Sequence, residues 1–200
     1  MPEIPNYGGG GLGDATVFFE EPYHEFWFHL GRFVSQFAKA ESALLFLLWD
    51  VAGTSEEVSG AIFNGVRAEG ARDAINNILT ATKQTDRMER LRSPFSQMAT
   101  IGTIRNNLVH WGAAKSEDDF IVTNTNRKPL KPKTFSISID DFKDMGTDLF
   151  FILAMLVAER SDANEETRAI VARDFAPRPW RYKPPQPSPE PKMRDQDRSK

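Results

Sequence analysis

Three polar residues with complementary chemistry lie close together near the middle of the chain: Arg105, Asn106 and His110. An imidazole can transfer protons near neutral pH, a guanidinium can neutralise a phosphate or a pentavalent oxyanion, and an amide can orient either group. Residues of these types are suited to cleaving a phosphodiester without a metal. A solitary histidine near a helix end is usually a surface residue that interacts with the helix dipole, so the combination matters more than His110 alone.

Arg105 is predicted to face the interior of the fold. At about 100° per residue of an α-helix, apolar residues surround its position on the helical wheel. They are Met98, Ile101, Ile104, Leu108 and Val109. A surface arginine would lie on the opposite side, so Arg105 must be buried with a partner or line a cleft. His110 lies about 140° from it, in a polar stripe with Thr103 and Asn106.

Glu41 is the corresponding exception on the first long helix, because it too falls among apolar positions. The residues beside it on that face are Phe33, Phe37, Leu44 and Leu48. An inward carboxylate and an inward guanidinium predict a pair between Glu41 and Arg105, since a bidentate pair offsets much of the cost of burying either charge. A purely structural ion pair would give the same pattern, so the spacing alone leaves both a structural and a functional role open.

The elements that position these residues are predicted to be helices. Apolar residues at three- and four-residue steps indicate helices over residues 24–52, 54–82, 86–111, 142–159 and 164–175. The second of these helices is predicted to begin with a capping box of Thr54 and Glu57 and to be interrupted near Gly65 and Gly70. β-Branched alternation over 120–123 and 134–139 indicates a hairpin outside the core. The predicted fold is all-α, an up-and-down helical bundle of about five helices with a small β-hairpin insertion at about 115–139.

The two ends of the chain are predicted to lie outside the bundle, which spans residues 23–175. Residues 1–22 are rich in glycine and proline and read as a flexible arm. Residues 176–200 are rich in proline and net basic, so they cannot be helical and are expected to form a disordered tail. Trp180 and Tyr182 are the residues of this tail that could dock back onto the bundle.

The composition excludes several functional classes. The chain has no cysteine and three histidines, so thiolate chemistry is excluded and a closed zinc site would need several carboxylates; we expect no metal and no cofactor. Its apolar runs are far shorter than the roughly 20 residues of a membrane span, and no secretory signal is readable, so we expect a cytoplasmic protein without a membrane partner. With a net charge of −3, the best candidates for RNA phosphate contacts are Lys128, Lys131 and Lys133 in a basic loop, which could equally be a solvated turn.

The sequence RNNLVHWG over residues 105–112 resembles the signature of HEPN (higher eukaryotes and prokaryotes nucleotide-binding) domains: an arginine, a polar residue, three further residues and a histidine, often followed by glycine. The stretch 37–44 and the helical segments are also similar to that family, over about residues 24–175. The resemblance implies an all-α bundle that forms a homodimer with its motif helices facing each other. In many members it also implies a metal-independent endoribonuclease.

Carried onto this chain, the resemblance implies that Arg105 and His110 form the catalytic pair, that Asn106 supports them and that Glu41 is an orienting acid. The RNA 2′-hydroxyl would be the nucleophile, and a second chain would complete the site. It further implies a toxin or antiviral-defence effector, with an antitoxin or regulatory protein as partner. The departures are the hairpin after His110, Trp111 before the glycine, and the proline-rich tail.

Two alternatives stay open at this point. One is a non-catalytic helical bundle that binds a nucleotide or a protein, with Arg105 and Glu41 as structural partners. The other is a toxin silenced by a nucleotidyltransferase that modifies a residue near His110.

Overall fold

The structure is a computed structural model that describes residues 23–111, 113–116, 119–124, 133–176 and 178–184. The arm of residues 1–22, the lysines Lys128 and Lys131, and residues 185–200 of the tail lie outside the described residues.

The described residues form six helices and three strands. In chain order they are α1 (Tyr23–Ala52), α2 (Glu56–Phe63), α3 (Ala68–Ala81), α4 (Thr85–Trp111), β1 (Ala114–Ser116), β2 (Asp119–Asn124), β3 (Lys133–Ile137), α5 (Ile139–Ala158) and α6 (Glu165–Asp174). The predominance of helix, with one small antiparallel sheet, confirms the predicted all-α bundle with a β insertion. None of the helices in the described part of the chain combines the length and the apolar character needed to cross a bilayer.

Four helices build the core of the bundle. α1 packs against α5 on one side and α3 on the other, and α4 packs against the same two helices. The apolar stripe predicted for α1 is buried between them, with Phe33, Leu44 and Leu48 almost completely excluded from solvent. α1 and α4 therefore face each other diagonally across the bundle, and their side chains meet in its centre, where Phe37 of α1 approaches Gly102 of α4.

The second predicted helix is in fact two helices. α2 ends at Phe63 and α3 begins at Ala68, and Gly65 between them has a φ of +75°, a left-handed conformation that glycine adopts without strain. Gly70, the other predicted break, lies inside α3. The predicted cap at Thr54 is also wrong, because the residue that caps α2 is Ser55, whose hydroxyl accepts a hydrogen bond from the backbone N–H of Val58.

The sheet is larger than the predicted hairpin and belongs to the core. Its strand order is β1-β2-β3, so β1 adds a third antiparallel strand beside Phe120 and Ile121. Phe120, Val122 and Ile137 are buried, and the Phe120 ring lies 4.2 Å from that of Phe26 on α1. The expectation of an insertion outside the core was therefore wrong: alternate residues of both strands cover the end of the bundle where α1 begins.

Residues 178–184, which we call the strap, cross from α5 to α4 although they belong to the predicted disordered tail. The backbone N–H groups of Arg181 and Tyr182 each donate to the carboxylate of Asp148 on α5, at 2.9 Å. The Trp180 indole Nε1 donates to Ser93 Oγ on α4 at 2.9 Å, and Tyr182 is only 3% exposed. The packed region thus extends beyond residue 175.

Candidate functional site

The Arg105 guanidinium lies at the interface between the last turns of α4 and the middle of α1. It is half-buried, and its Cζ lies 5.6 Å from the centre of the Phe37 ring. Its Nη1 donates to Asn106 Oδ1 at 3.0 Å, while its Nε is buried and has no hydrogen-bond partner among the described residues. The position is the inward one that the helical wheel predicts, but this arginine keeps unused hydrogen-bonding capacity.

Gly102 allows Phe37 to reach the arginine. A Cβ at position 102 would lie 3.2 Å from Cζ of Phe37, so a larger residue one turn before Arg105 would press against the ring. The ring thus lies between Gly102 and the guanidinium's side of α4, with its face toward the Arg105 Cζ. A cation over an aromatic ring gains roughly 0.5–1 kcal/mol in a partly exposed place.

Glu41 is near Arg105 but does not pair with it. Within the described part of the chain the two side chains form neither a salt bridge nor a hydrogen bond, so the predicted bidentate pair is not formed. Burial raises the pKa of the Glu41 carboxyl, and the positive charge of Arg105 lowers it by a smaller amount. The guanidinium donates a hydrogen bond to its neighbour Asn106 and lies over the Phe37 ring, 5.6 Å from its centre, and this arrangement leaves the charges of Arg105 and Glu41 incompletely compensated.

His110 and its polar neighbours face solvent. His110, Asn106 and Thr103 are all exposed, as a stripe on the outer side of α4. Among the described residues, the His110 side chain makes no hydrogen bond or ion pair, and it does not contact Arg105. Within one chain, therefore, the imidazole and the guanidinium are on neighbouring faces of the helix and are not joined into one site.

The three lysines predicted to contact RNA precede or begin β3. Lys128 and Lys131 lie outside the described residues, and Lys133 is the first residue of β3, with no described side chain. Their predicted role in RNA binding stays a prediction.

Sequence reasoning missed a buried polar cluster that joins α4, α5 and the strap. Asp148 is completely buried, and burial raises its pKa although hydrogen bonds from Arg181, Tyr182 and Gln97 oppose the rise. Gln97 Nε2 donates both to Asp148 Oδ2, at 2.8 Å, and to the Tyr182 carbonyl, at 3.0 Å. The helical-wheel test that selected Arg105 would have found Asp148, which lies between Met145, Leu149 and Ile152 on the buried face of α5.

A second polar cluster, where α1 ends and α4 begins, was also missed. Arg87 at the start of α4 contacts Asp50 at the end of α1, with 2.7 Å between Nη2 and Oδ2, and it also binds the Glu159 carbonyl. Ser161 donates to Asp50 through both its backbone N–H and its hydroxyl. Burial opposes ionisation of Asp50, but the hydrogen bonds from Ser161 and Arg87 outweigh it, and the pKa of Asp50 is lowered.

In comparisons with known proteins, no family model, no curated protein and no solved structure matched this chain. The HEPN resemblance thus rests on the motif at residues 105–112 and on the helical bundle. Among the described residues, no group of three or more histidines and acidic residues converges in a way that could hold a metal ion.

Proposed function

We propose that this protein is a metal-independent endoribonuclease of the HEPN type that works as a homodimer. The observation that carries the proposal is the state of Arg105, a half-buried guanidinium that is held by Phe37 and Asn106 but has no acidic partner in the described structure. A structural arginine in such a place is expected to be paired. An arginine kept unpaired beside an exposed histidine is suited to receive an anion from outside.

The proposed reaction is an internal transesterification of RNA. His110 takes the proton of a 2′-hydroxyl, the 2′-oxygen attacks the adjacent phosphorus, and the bond from phosphorus to the 5′-oxygen breaks. The leaving 5′-oxygen takes a proton from water, and His110 afterwards releases the proton it accepted to solvent, so each site needs one imidazole and one guanidinium. Arg105 neutralises the pentavalent oxyanion, with Asn106 fixing the guanidinium and Glu41 biasing its position.

A second copy of the chain is needed because His110 and Arg105 lie on neighbouring faces of α4. Pairing two α4 helices around their last turns would place the imidazole of one chain near the guanidinium of the other. Val109, which is 50% exposed beside His110, would be covered by such pairing. We propose that the enzyme acts on cytoplasmic RNA as a toxin or defence effector and that an antitoxin or regulatory protein restrains it.

The direct test is RNA cleavage by the purified full chain in excess EDTA. We expect cleavage products with 2′,3′-cyclic phosphate ends, and a loss of at least about 100-fold in rate in His110→Ala, as for the removal of a general acid–base. His24→Ala is the matched control, since His24 is also exposed on a helix but lies at the start of α1. Cleavage that requires a metal, or that survives in His110→Ala, would contradict the proposal.

The dimer is tested by mixing two inactive variants. Arg105→Ala and His110→Ala protomers are expected to form mixed dimers in which one site has both groups, so the mixture should regain part of the activity. A monomeric protein in light scattering, or a mixture as inactive as its components, would argue against a shared site. If neither the parent nor any variant cleaves RNA, the alternative of a non-catalytic bundle that binds a nucleotide or a protein is favoured instead.

A further inference from the structure

A cavity lies between α4 and the strap, away from Arg105. Its volume is about 370 Å³, and it is lined by Glu89, Arg92, Ser93, Ser96, Gln97 and Trp180. The strap supplies one wall through Trp180, and α4 supplies the rest. The strap therefore creates a concave polar surface on a helix that would otherwise be convex.

Gln97 presents a fixed hydrogen-bond acceptor to this cavity. Both of its known partners, the Asp148 carboxylate and the Tyr182 carbonyl, are acceptors, so the amide nitrogen must face them. The amide oxygen is then turned away from them. It has no hydrogen-bond partner among the described residues, and it is accessible to solvent. Since Gln97 lines the cavity, this oxygen is available to a ligand that carries N–H donors.

Trp180 provides a flat aromatic surface whose position is fixed. Its indole nitrogen is held by Ser93, and the two residues that follow it, Arg181 and Tyr182, are tied to α5 through Asp148. The Ser93 hydroxyl accepts that bond and can still donate its own proton. Arg92 at the rim is largely exposed and has only a weak contact with Glu89, at 3.7 Å.

The cavity lies along the same side of α4 as His110. Ser96, Thr103 and His110 follow one another at intervals of seven residues, which is close to two full helical turns, so they lie on one face of α4. Arg92 and Asn106 are separated by twice that interval and lie on nearly the same face. All five residues are exposed. The distance along the helix from Ser96 to His110 is about 21 Å, at 1.5 Å per residue, which several nucleotides of a single strand can bridge.

We propose that this cavity is a nucleobase-binding subsite for single-stranded RNA that runs along α4 to His110. The base stacks on Trp180 and donates an exocyclic amine hydrogen to Gln97 Oε1, and Arg92 contacts the adjoining phosphate. A planar ring with N–H donors next to an anionic group is what the aromatic wall, the fixed acceptor and the rim cation together favour. The orientation of the strand toward His110 rests on the proposed function, but binding of the base does not.

The test measures binding of a labelled, single-stranded 2′-O-methyl oligoadenylate to the full chain by fluorescence anisotropy. This probe has no free 2′-hydroxyl, so it cannot be cleaved. We expect Trp180→Ala, which removes the stacking surface, and Ser96→Asp, which places a negative charge in the cavity, each to weaken binding about tenfold. This is the size of effect that the loss of one stacked base produces in proteins that bind single strands. An abasic strand of the same length should bind the parent more weakly and should lose much less affinity in Trp180→Ala.

Arg173→Ala is the matched control for Arg92→Ala, because Arg173 is an exposed arginine paired with a neighbouring acid on α6. Arg92→Ala is expected to weaken binding and Arg173→Ala to leave it unchanged. Ser96→Asp leaves the strap contacts in place, so it still tests the cavity if Trp180→Ala loosens the strap. Equal affinity of parent, Ser96→Asp and Trp180→Ala, or no binding by the parent, would overturn the subsite.

The two proposals fail separately. If the parent does not cleave RNA but the cavity variants lose oligoadenylate binding, the subsite stands and the nuclease proposal fails. If the parent cleaves RNA through His110 and the cavity variants show an unchanged KM, the nuclease proposal stands and the subsite fails.

Discussion

α1 and α4 bring an acidic residue and an arginine together twice, and the two places differ in how completely the charges are paired. At one end Arg87 touches Asp50 at 2.7 Å, both side chains are mostly buried, and the pKa of Asp50 is lowered. Toward the middle of α1, Glu41 forms no ion pair or hydrogen bond with Arg105 of α4, and burial raises the pKa of Glu41. The same two helices therefore hold one completed ion pair and one incomplete pair.

The difference distinguishes an arginine that stabilises the fold, Arg87, from an arginine that is open to a ligand, Arg105. Arg87 also donates to the Glu159 carbonyl, and Ser161 donates to Asp50, so both charges of this pair have partners within the folded chain. The Nε atoms of Arg87 and Arg105 alike make no hydrogen bond among the described residues, so the two arginines differ in their acidic partners. Arg105 has only its neighbour Asn106 and the face of Phe37. A binding site for an anion needs a cation whose partners are not already supplied, and Arg105 meets that condition where Arg87 does not.

The largest expected effect is on stability. Arg87→Ala should lower the free energy of unfolding by about 3 kcal/mol, because it removes the cation paired with the buried Asp50 carboxylate. Glu159 keeps Arg90, which donates to both of its carboxylate oxygens. Arg105→Ala should cost only about 1 kcal/mol, near the value of the lost contact with Phe37. Urea unfolding followed by circular dichroism measures both.

Arg173→Ala on α6, an exposed arginine, provides the baseline for these two variants and should change stability very little. If Arg105→Ala destabilised the protein as much as Arg87→Ala, Arg105 would be a structural residue like Arg87, and the proposed difference between the two arginines would be wrong.

A smaller effect, of opposite sign at the two places, is expected in the pH dependence of stability. Asp50 has a lowered pKa, so its contribution is present above its usual value of 3.8 and is lost as the pH falls through the folded value. Asp50→Asn should therefore be less stable than the parent at pH 7, with the gap closing in strong acid. Glu41 has a raised pKa, so its ionisation opposes folding above its usual value of 4.5.

Glu41→Gln should accordingly be at least as stable as the parent at pH 7, and this advantage should vanish as the pH falls below about 4.5. Chemical unfolding at a series of pH values gives the free energy of unfolding of each variant and of the parent. The titration of other groups, such as Asp148, cancels in the difference between the two. A Glu41→Gln variant that is clearly less stable at neutral pH would indicate a hidden pair with Arg105.

The helices of this fold could be predicted from the sequence because their apolar periodicity is local. Residues 24–52 and 86–111 correspond closely to α1 and α4, since every turn of each helix repeats the pattern. β1 and the strap could not be predicted in the same way. β1 has only three residues, and its pairing depends on β2; the strap is fixed by Asp148, which is distant in sequence.

The inward positions of Arg105 and Glu41 could be predicted, whereas their contact could not. A helical wheel gives the direction of a Cβ but not the rotamer of a long side chain. The wheel did not reveal that Gly102 leaves room for Phe37 beneath the guanidinium, or that Asn106 is close enough to take its hydrogen bond. Those two contacts decide that the arginine is held without an acid.

The smallest expected effect tests whether the incomplete pair accepts an anion. Inorganic phosphate should raise the free energy of unfolding of the parent by about 0.4 kcal/mol at a concentration equal to its Kd, which is about 1 °C in Tm for a chain of this size. Phosphate also stabilises proteins by exclusion from their surface, so the informative quantity is the part of the shift that disappears in Arg105→Ala and persists in Arg173→Ala. Arg87 is not expected to contribute to this part, because its charge is already paired with the Asp50 carboxylate at 2.7 Å. An equal shift in Arg105→Ala and in the parent would mean that Arg105 is unpaired for a reason other than binding an anion.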